Sequence, residues 1–201
     1  MKKMPVATRR LYGSTPGTFY CVSFAGMKKI ALLSDTHSYL DAAILDALAG
    51  SDEIWHAGDF GSMEVIEKLQ AGGLPLRGVW GNIDAPEIRR LFPETALFEI
   101  AGLKVLMQHI GGYPGRYAPG IKAIIQKEKP GLFISGHSHI LKIIFDDALQ
   151  CLHMNPGAAG LQGWHKQRTL IRFAIDKGVL KDCEVVELGG KGMIVNRLPG
   201  A

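Results

Sequence analysis

Five short polar motifs punctuate this 201-residue chain, and each follows directly on an apolar run that reads as a β-strand. They are Ser34-Asp35-Thr36-His37, Ala57-Gly58-Asp59, Gly81-Asn82-Ile83-Asp84, Gln108-His109 and Gly136-His137-Ser138-His139. Their anchors Asp35, Asp59, Asn82, His109 and His137 stand 24, 23, 27 and 28 positions apart, roughly one strand–helix unit each. In an open α/β sheet the carboxyl ends of the strands share one rim, and ligands bind just beyond it. Spacing of this kind gathers residues remote in sequence around one site.

The runs between the motifs support that reading. Strand-like segments lie at 28–33, 53–57, 77–80, 105–108, 132–135 and 152–154. Amphipathic helical patterns fill 40–49, 62–71, 85–91 and 120–129, with Ser62, Pro86 and Pro119 as starts. The last third changes character. Segments 141–146, 150–154, 169–175 and 179–188 read as strands with little helix between them, turned at Asp146-Asp147 and at Asp176-Lys177-Gly178. The expected fold is α/β, with two sheets face to face, helices outside and an antiparallel second half. Segment 111–119 reads as a loop.

The motif residues are metal-ligand types. Imidazole suits zinc, iron, manganese or nickel; carboxylate and amide oxygens suit magnesium, manganese or iron. Asp35 with His37 and His137 with His139 are i,i+2 pairs. In extended backbone each pair points to one face, about 6.5 Å apart along the strand. That reach fits two metals about 3.5–4 Å apart.

Taken in order, these residues resemble the calcineurin-like metallophosphoesterase family, and within it the small single-domain bacterial phosphodiesterase branch. The family pattern runs D-x-H, GD, GN, a lone H and GHxH, and all five parts occur between Asp35 and His139. His56-Ala57-Gly58-Asp59 and Asn155-Pro156-Gly157 are similar as well, and the resemblance spans about Met27 to Leu188. It implies a four-layer α/β/β/α sandwich of two mixed sheets. It implies one metal on Asp35, His37, Asp59 and His139, and another on Asp59, Asn82, His109 and His137. Manganese comes first, with iron, nickel or zinc as alternatives. The implied reaction is hydrolysis of a phosphate diester by a hydroxide bridging the two metals, with Asn82, Asp84 and Asp59 as catalytic residues. Asn82 would contact the substrate, a small or nucleotide-like diester; apart from the resemblance, Arg116 in the loop after His109 is a further substrate-contact candidate, since Arg suits phosphate recognition. A homo-oligomer is compatible with the resemblance.

Two positions depart from the pattern. Ile83 stands where many members carry a His after the GN, a residue thought to protonate the leaving group. Ile110 stands where a Gly commonly follows the lone His. The first departure favours diesters or activated leaving groups over demanding monoesters. The alternatives are a phosphomonoesterase of the same fold and a non-catalytic protein-binding scaffold. The retained ligand set argues against the scaffold.

The sequence pI of about 9.0 suggests nucleic acid, but the charge is unevenly placed. Of the 23 Lys and Arg, four (Lys2, Lys3, Arg9, Arg10) fall in the first 26 residues, which contain no acid. The remaining 19 equal the 19 Asp and Glu, so the body is formally neutral and a nucleic-acid groove is not expected. Residues 1–26 read as a flexible leader or an upstream extension ahead of a start at Met27, and 27–201 as one domain. Cys21, Cys151 and Cys183 form no disulfide or zinc pattern, which with the lack of a long apolar run makes cytoplasm the default and a membrane partner unexpected. Elsewhere, His56 and His153 read as core or as support behind the site. His165 reads as surface, Trp55 and Trp80 as strand core, and Tyr113, Arg116 and Tyr117 as a loop beside the site.

Overall fold

The computed structural model describes residues 26–190. The expectations for the leader, Cys21 among them, and for the last eleven residues of the domain lie outside the described residues.

Continuous apolar runs become central parallel strands, because such strands are covered on both faces. β1 (Lys28–Leu33) is buried from Ile30 onward, and β2 (Glu53–His56) is buried throughout. With β3 (Leu76–Gly78) they form three parallel strands of one sheet. β11 (Gln167–Asp176) and β12 (Val179–Gly190) extend it antiparallel, in the order β12-β11-β1-β2-β3. The second sheet runs β4-β5-β8-β10-β9. Its parallel centre is β5 (Leu103–Gln108), β8 (Leu132–Ile134) and β10 (Cys151–Pro156). Antiparallel β4 (Thr95–Ile100) and β9 (Leu141–Asp146) form its edges.

Period-2 alternation sends neighbouring residues of β1 into different layers. Ile30 and Leu32 face the second sheet, with Trp55, against Val105, Met107, Leu132, Ile134 and Met154. Ala31 and Leu33 face outward, under α1 (Ala42–Ala47), α2 (Met63–Gln70) and α3 (Pro86–Leu91), which contribute Ile44, Ile66, Leu69 and Ile88. On the far side α4 (Ile121–Glu128) lays Ile121 and Ile125 on Leu106 and Phe133. The layers are therefore α/β/β/α, as the pattern and the resemblance both implied.

Three local expectations need correction. β4 is a strand the sequence did not reveal; a two-residue turn at Ala101-Gly102, both with positive φ (46° and 84°), joins it to β5. Segment 111–119 is not all loop, because β6 (Gly112–Tyr113) and β7 (Arg116–Tyr117) pair as a small hairpin. Trp80 lies beyond β3 and is only half-buried, with the Arg89 guanidinium 4.5 Å from its ring. Trp55 is core, with Phe98 and Phe173 edge-on to its ring.

Candidate metal centre

All five motifs sit at the carboxyl ends of parallel strands, where the two sheets meet. Asp35 and His37 follow β1, Asp59 follows β2, Asn82 and Asp84 follow β3, His109 follows β5, and His137 and His139 follow β8. Two groups of side chains result. In one, ligand atoms of Asp35, His37 and His139 lie within 4.8 Å of one another; in the other, those of Asp59, His109 and His137 do. Each group draws on both sheets. Asp59 also reaches the first, since its Oδ2 is 3.7 Å from His37 Nε2 and 3.2 Å from His109 Nε2.

The backbone reaches this geometry differently from the extended pairs expected. Asp35, His37, Asp59, His137 and His139 all have positive φ, between 48° and 65°. Left-handed residues other than Gly cost energy and persist where the surroundings over-determine them. Those surroundings are visible: the Asp35 and His37 amides donate to the Gly58 and Asp59 carbonyls at 3.0 and 3.1 Å. Asp35 Oδ2 accepts from the His137 amide at 3.2 Å, linking the first motif to the last. The loops also crowd one another. A Cβ on Gly81 would overlap the Asp59 carboxylate, and one on Gly136 would overlap Ser34 Oγ.

The side chains present lone pairs to each other. His109 Nδ1–H donates to the Ala57 carbonyl at 2.7 Å, so Nε2 carries the lone pair aimed at Asp59. Nε2 of His109 and Oδ1 of Asp35 are buried without a hydrogen-bond partner. Nε2 of His139 is 3.2 Å from Asp35 Oδ1 and 3.1 Å from His37 Nε2. Such an arrangement needs positive charge at its centre, from a proton or a metal cation. The titration directions express the same demand. The Asp35 carboxylate raises His139 against the effect of burial. Burial pulls His109 down, but Asp59 and Asp35 outweigh it and leave its pKa raised. Burial pushes Asp59 up, and His109 with the Ile83 amide and His37 brings it below the ordinary carboxylate value. For His37 burial prevails and the pKa is lowered. This donor set fits divalent cations: carboxylate and imidazole, convergent, partly dehydrated and without a thiolate.

Behind the ligand-type residues stands a supporting set. His56 is fully buried; its Nδ1 accepts from the Gly58 amide at 3.2 Å, so Nε2–H donates to Thr36 Oγ1 at 3.0 Å. Burial drops its pKa to about 3, and the ring acts as a neutral clasp between the first two motifs. Asp84 is buried too, and its carboxylate accepts from the amides of Asp59, Gly61 and Gly81 at 3.1, 2.8 and 2.7 Å. Burial raises its pKa even against those amides. With both oxygens committed to backbone amides, Asp84 holds the two loops in place. Asn155, from the Asn155-Pro156-Gly157 stretch, donates to the Gly136 carbonyl at 2.8 Å and to Ser138 Oγ at 3.1 Å, holding the GHSH turn.

Asn82 is exposed at the rim between Gly81 and Ile83, and the Ile83 amide donates to Asp59 Oδ1 at 3.1 Å. His165 is not simple surface; it is half-buried, its ring centroid 5.3 Å from that of His139. Arg116 and Tyr113 line a cleft of about 320 Å³ that begins at His137. Tyr117 Oη instead donates to Asp146 Oδ2 at 2.7 Å. Lys142, on edge strand β9, lines the same cleft, and nothing in its sequence neighbourhood signals that.

Known proteins are similar along this whole span. A curated relative, named "Probable metallophosphoesterase" in Methanothermobacter thermautotrophicus, is 29% identical over 167 residues, covering 80% of this chain and 92% of its own. An archaeal phosphodiesterase superposes with a TM-score of 0.63 at 22% identity, over 79% of this chain and 99% of its own. Vps29 of Entamoeba histolytica, complexed with zinc, superposes with a TM-score of 0.60 at 18% identity, over 80% and 99%. The profile of the calcineurin-like phosphoesterase superfamily domain matches residues 27–178, and with its five motifs gathered on one rim the chain belongs to that superfamily.

Proposed function

We propose that this chain is a metal-dependent phosphodiesterase. Two divalent cations would be held by Asp35, His37, Asp59 and His139 and by Asp59, Asn82, His109 and His137, with Asp59 between them. The observation that carries this reading is the convergence of buried lone pairs on one point, Asp35 Oδ1 and His109 Nε2 above all, from loops of two different sheets. Manganese is the first choice for a mixed carboxylate and imidazole set, followed by iron, nickel and zinc. Bound cations supply Lewis acidity, lowering the pKa of a coordinated water toward neutrality and offsetting charge on phosphoryl oxygens. The chain's own groups fix where this happens. The Ala57 carbonyl sets the His109 tautomer, Asp84 and His56 lock the loops, and Asn82 offers an amide donor at the open rim.

Diester preference follows from Ile83. Its side chain is 45% exposed beside Asn82 and offers no proton to a leaving oxygen. Leaving groups that depart unprotonated are favoured at such a site. The similarity to an archaeal phosphodiesterase supports the same reading.

Hydrolysis of bis-p-nitrophenyl phosphate and p-nitrophenyl phosphate tests it. Chelator-stripped protein is assayed with manganese, nickel, zinc or magnesium restored, beside Asp59→Asn. Expected is metal-restored diester turnover, at least tenfold above monoester turnover and lost in the variant. Monoester turnover above diester turnover would overturn the Ile83 argument. No turnover with any metal would favour a non-catalytic scaffold.

A further inference from the structure

The cleft beside His137 carries chemistry that hydrolysis of a simple diester does not use. Its volume of about 320 Å³ is at the lower end for small-molecule sites and accommodates one arm of a substrate, not a polymer. Arg116 and Lys142 line it from different elements, β7 and β9. No acid lines it, and among the described residues no carboxylate pairs with either cation. Lys142 is held in place by a neutral partner, its Nζ 3.4 Å from the Tyr113 ring centroid. Two unneutralised cations converging on a cleft bind an anion.

The floor of the cleft has a second unmet requirement. His153 is 1% exposed and lines it. Ser135 Oγ donates to the Gly112 carbonyl at 3.2 Å and so accepts from His153 Nε2–H at 3.0 Å. That leaves Nδ1 as a buried lone pair without a partner. Burial lowers the His153 pKa to about 4, so the ring is neutral and Nδ1 an acceptor at neutral pH. A ligand that fits offers a hydrogen-bond donor at depth and an anion at the mouth.

We propose that this cleft is a subsite for the retained arm of the diester, and that this arm is a phosphorylated sugar or nucleoside. Its additional phosphate is held by Arg116 and Lys142, and a ring N–H or hydroxyl donates to His153 Nδ1. The inference rests on the phosphodiesterase reading above and names the substrate class for that site.

Two probes that differ by one phosphate test it: thymidine 5′-(p-nitrophenyl phosphate) and the same compound carrying a 3′-phosphate. The metal-loaded protein is expected to prefer the phosphorylated probe at least tenfold in kcat/KM. Lys142→Met and Arg116→Ala each reduce that preference at least fivefold, and Arg116→Lys restores part of it. A preference near one, or one unchanged in both variants, overturns the subsite. Equilibrium binding of thymidine 3′,5′-bisphosphate to the metal-stripped protein gives a readout independent of turnover. Binding weakened at least fivefold in Lys142→Met upholds the subsite even where neither probe is hydrolysed, a result that would count against the phosphodiesterase reading alone. Binding equal in wild type and variant overturns it.

Discussion

Single residues at this site divide into those that meet a ligand and those that hold them. Asp84 shows the division. Its carboxylate fastens the amides of Asp59 and Gly61 on one loop and Gly81 on another. In Asp84→Ala three donors, two of them buried, lose their acceptor, at about 1–3 kcal/mol for each that stays dry. Urea unfolding should show a loss of about 3–5 kcal/mol, and the diester rate should fall about a hundredfold because Asp59 is no longer aimed. Asp84→Asn, which keeps one acceptor arm, should lose less of both. A stability within 1 kcal/mol of wild type in Asp84→Ala would remove the positioning argument. The motif Gly81-Asn82-Ile83-Asp84 was legible in sequence, but not this use of its last residue. Spacing records that an acid is near, not which atoms it meets. The same limit applies to Asp35, His37, His137 and His139. Their convergence could be read from spacing, whereas the left-handed backbone of Asp35, His37 and His137 goes with hydrogen bonds to residues more than twenty positions away.

At the scale of elements, legibility followed burial. β1, β2, β5 and β8 are buried over most of their length and carry short apolar runs (Ile30–Leu33, Ile54-Trp55, Val105–Met107 and Leu132–Ile134). β4 is a half-exposed edge strand with weak alternation, and β6 and β7 have two residues each, too few to show a period. Short elements need tertiary anchors, and α1 is a case. Six residues cannot hold a helix in water. Asp41 caps it, accepting from the Ile44 amide at 3.1 Å. The same carboxylate takes both Arg168 amino groups, at 2.8 and 2.9 Å, and the Tyr39 hydroxyl at 2.9 Å. Arg168 is 3% exposed and also donates to the Leu188 carbonyl in β12 at 2.8 Å. Losing a cap alone costs about 1 kcal/mol, whereas leaving a buried guanidinium unpaired costs about 3–5 kcal/mol. Asp41→Ala is therefore expected to destabilise by about 3–4 kcal/mol in chemical denaturation. Asp41→Ala/Arg168→Met should be less destabilised than the sum of the single variants, because the pair is coupled. Strict additivity would show that Arg168 does not depend on Asp41.

For the whole molecule, the placement of the site on the seam between the sheets matters most. Asp35, His37 and Asp59 hang from one sheet; His109, His137 and His139 hang from the other. Each candidate group of three draws on both, so a cation bound there ties the sandwich together at one end. The sequence could order the ligands along the chain but could not show that the first half hangs from one sheet and the second half from the other, since strand pairing is not written in spacing. Without a cation, the two carboxylates and the facing imidazoles rely on protons for compensation. Metal should therefore act on global stability and not only on the loops. A cation that binds the folded state at a hundred times its Kd adds about 2.7 kcal/mol per site, which for a domain of this size raises Tm by about 5–10 °C. Thermal unfolding of chelator-stripped protein, with and without manganese, measures it directly. In Asp59→Asn, where the shared ligand loses its charge, the shift should fall to half or less. A wild-type shift below about 1 °C with manganese, nickel and zinc alike would mean that the seam is closed by protons and packing, and the two-metal assignment would fail with it.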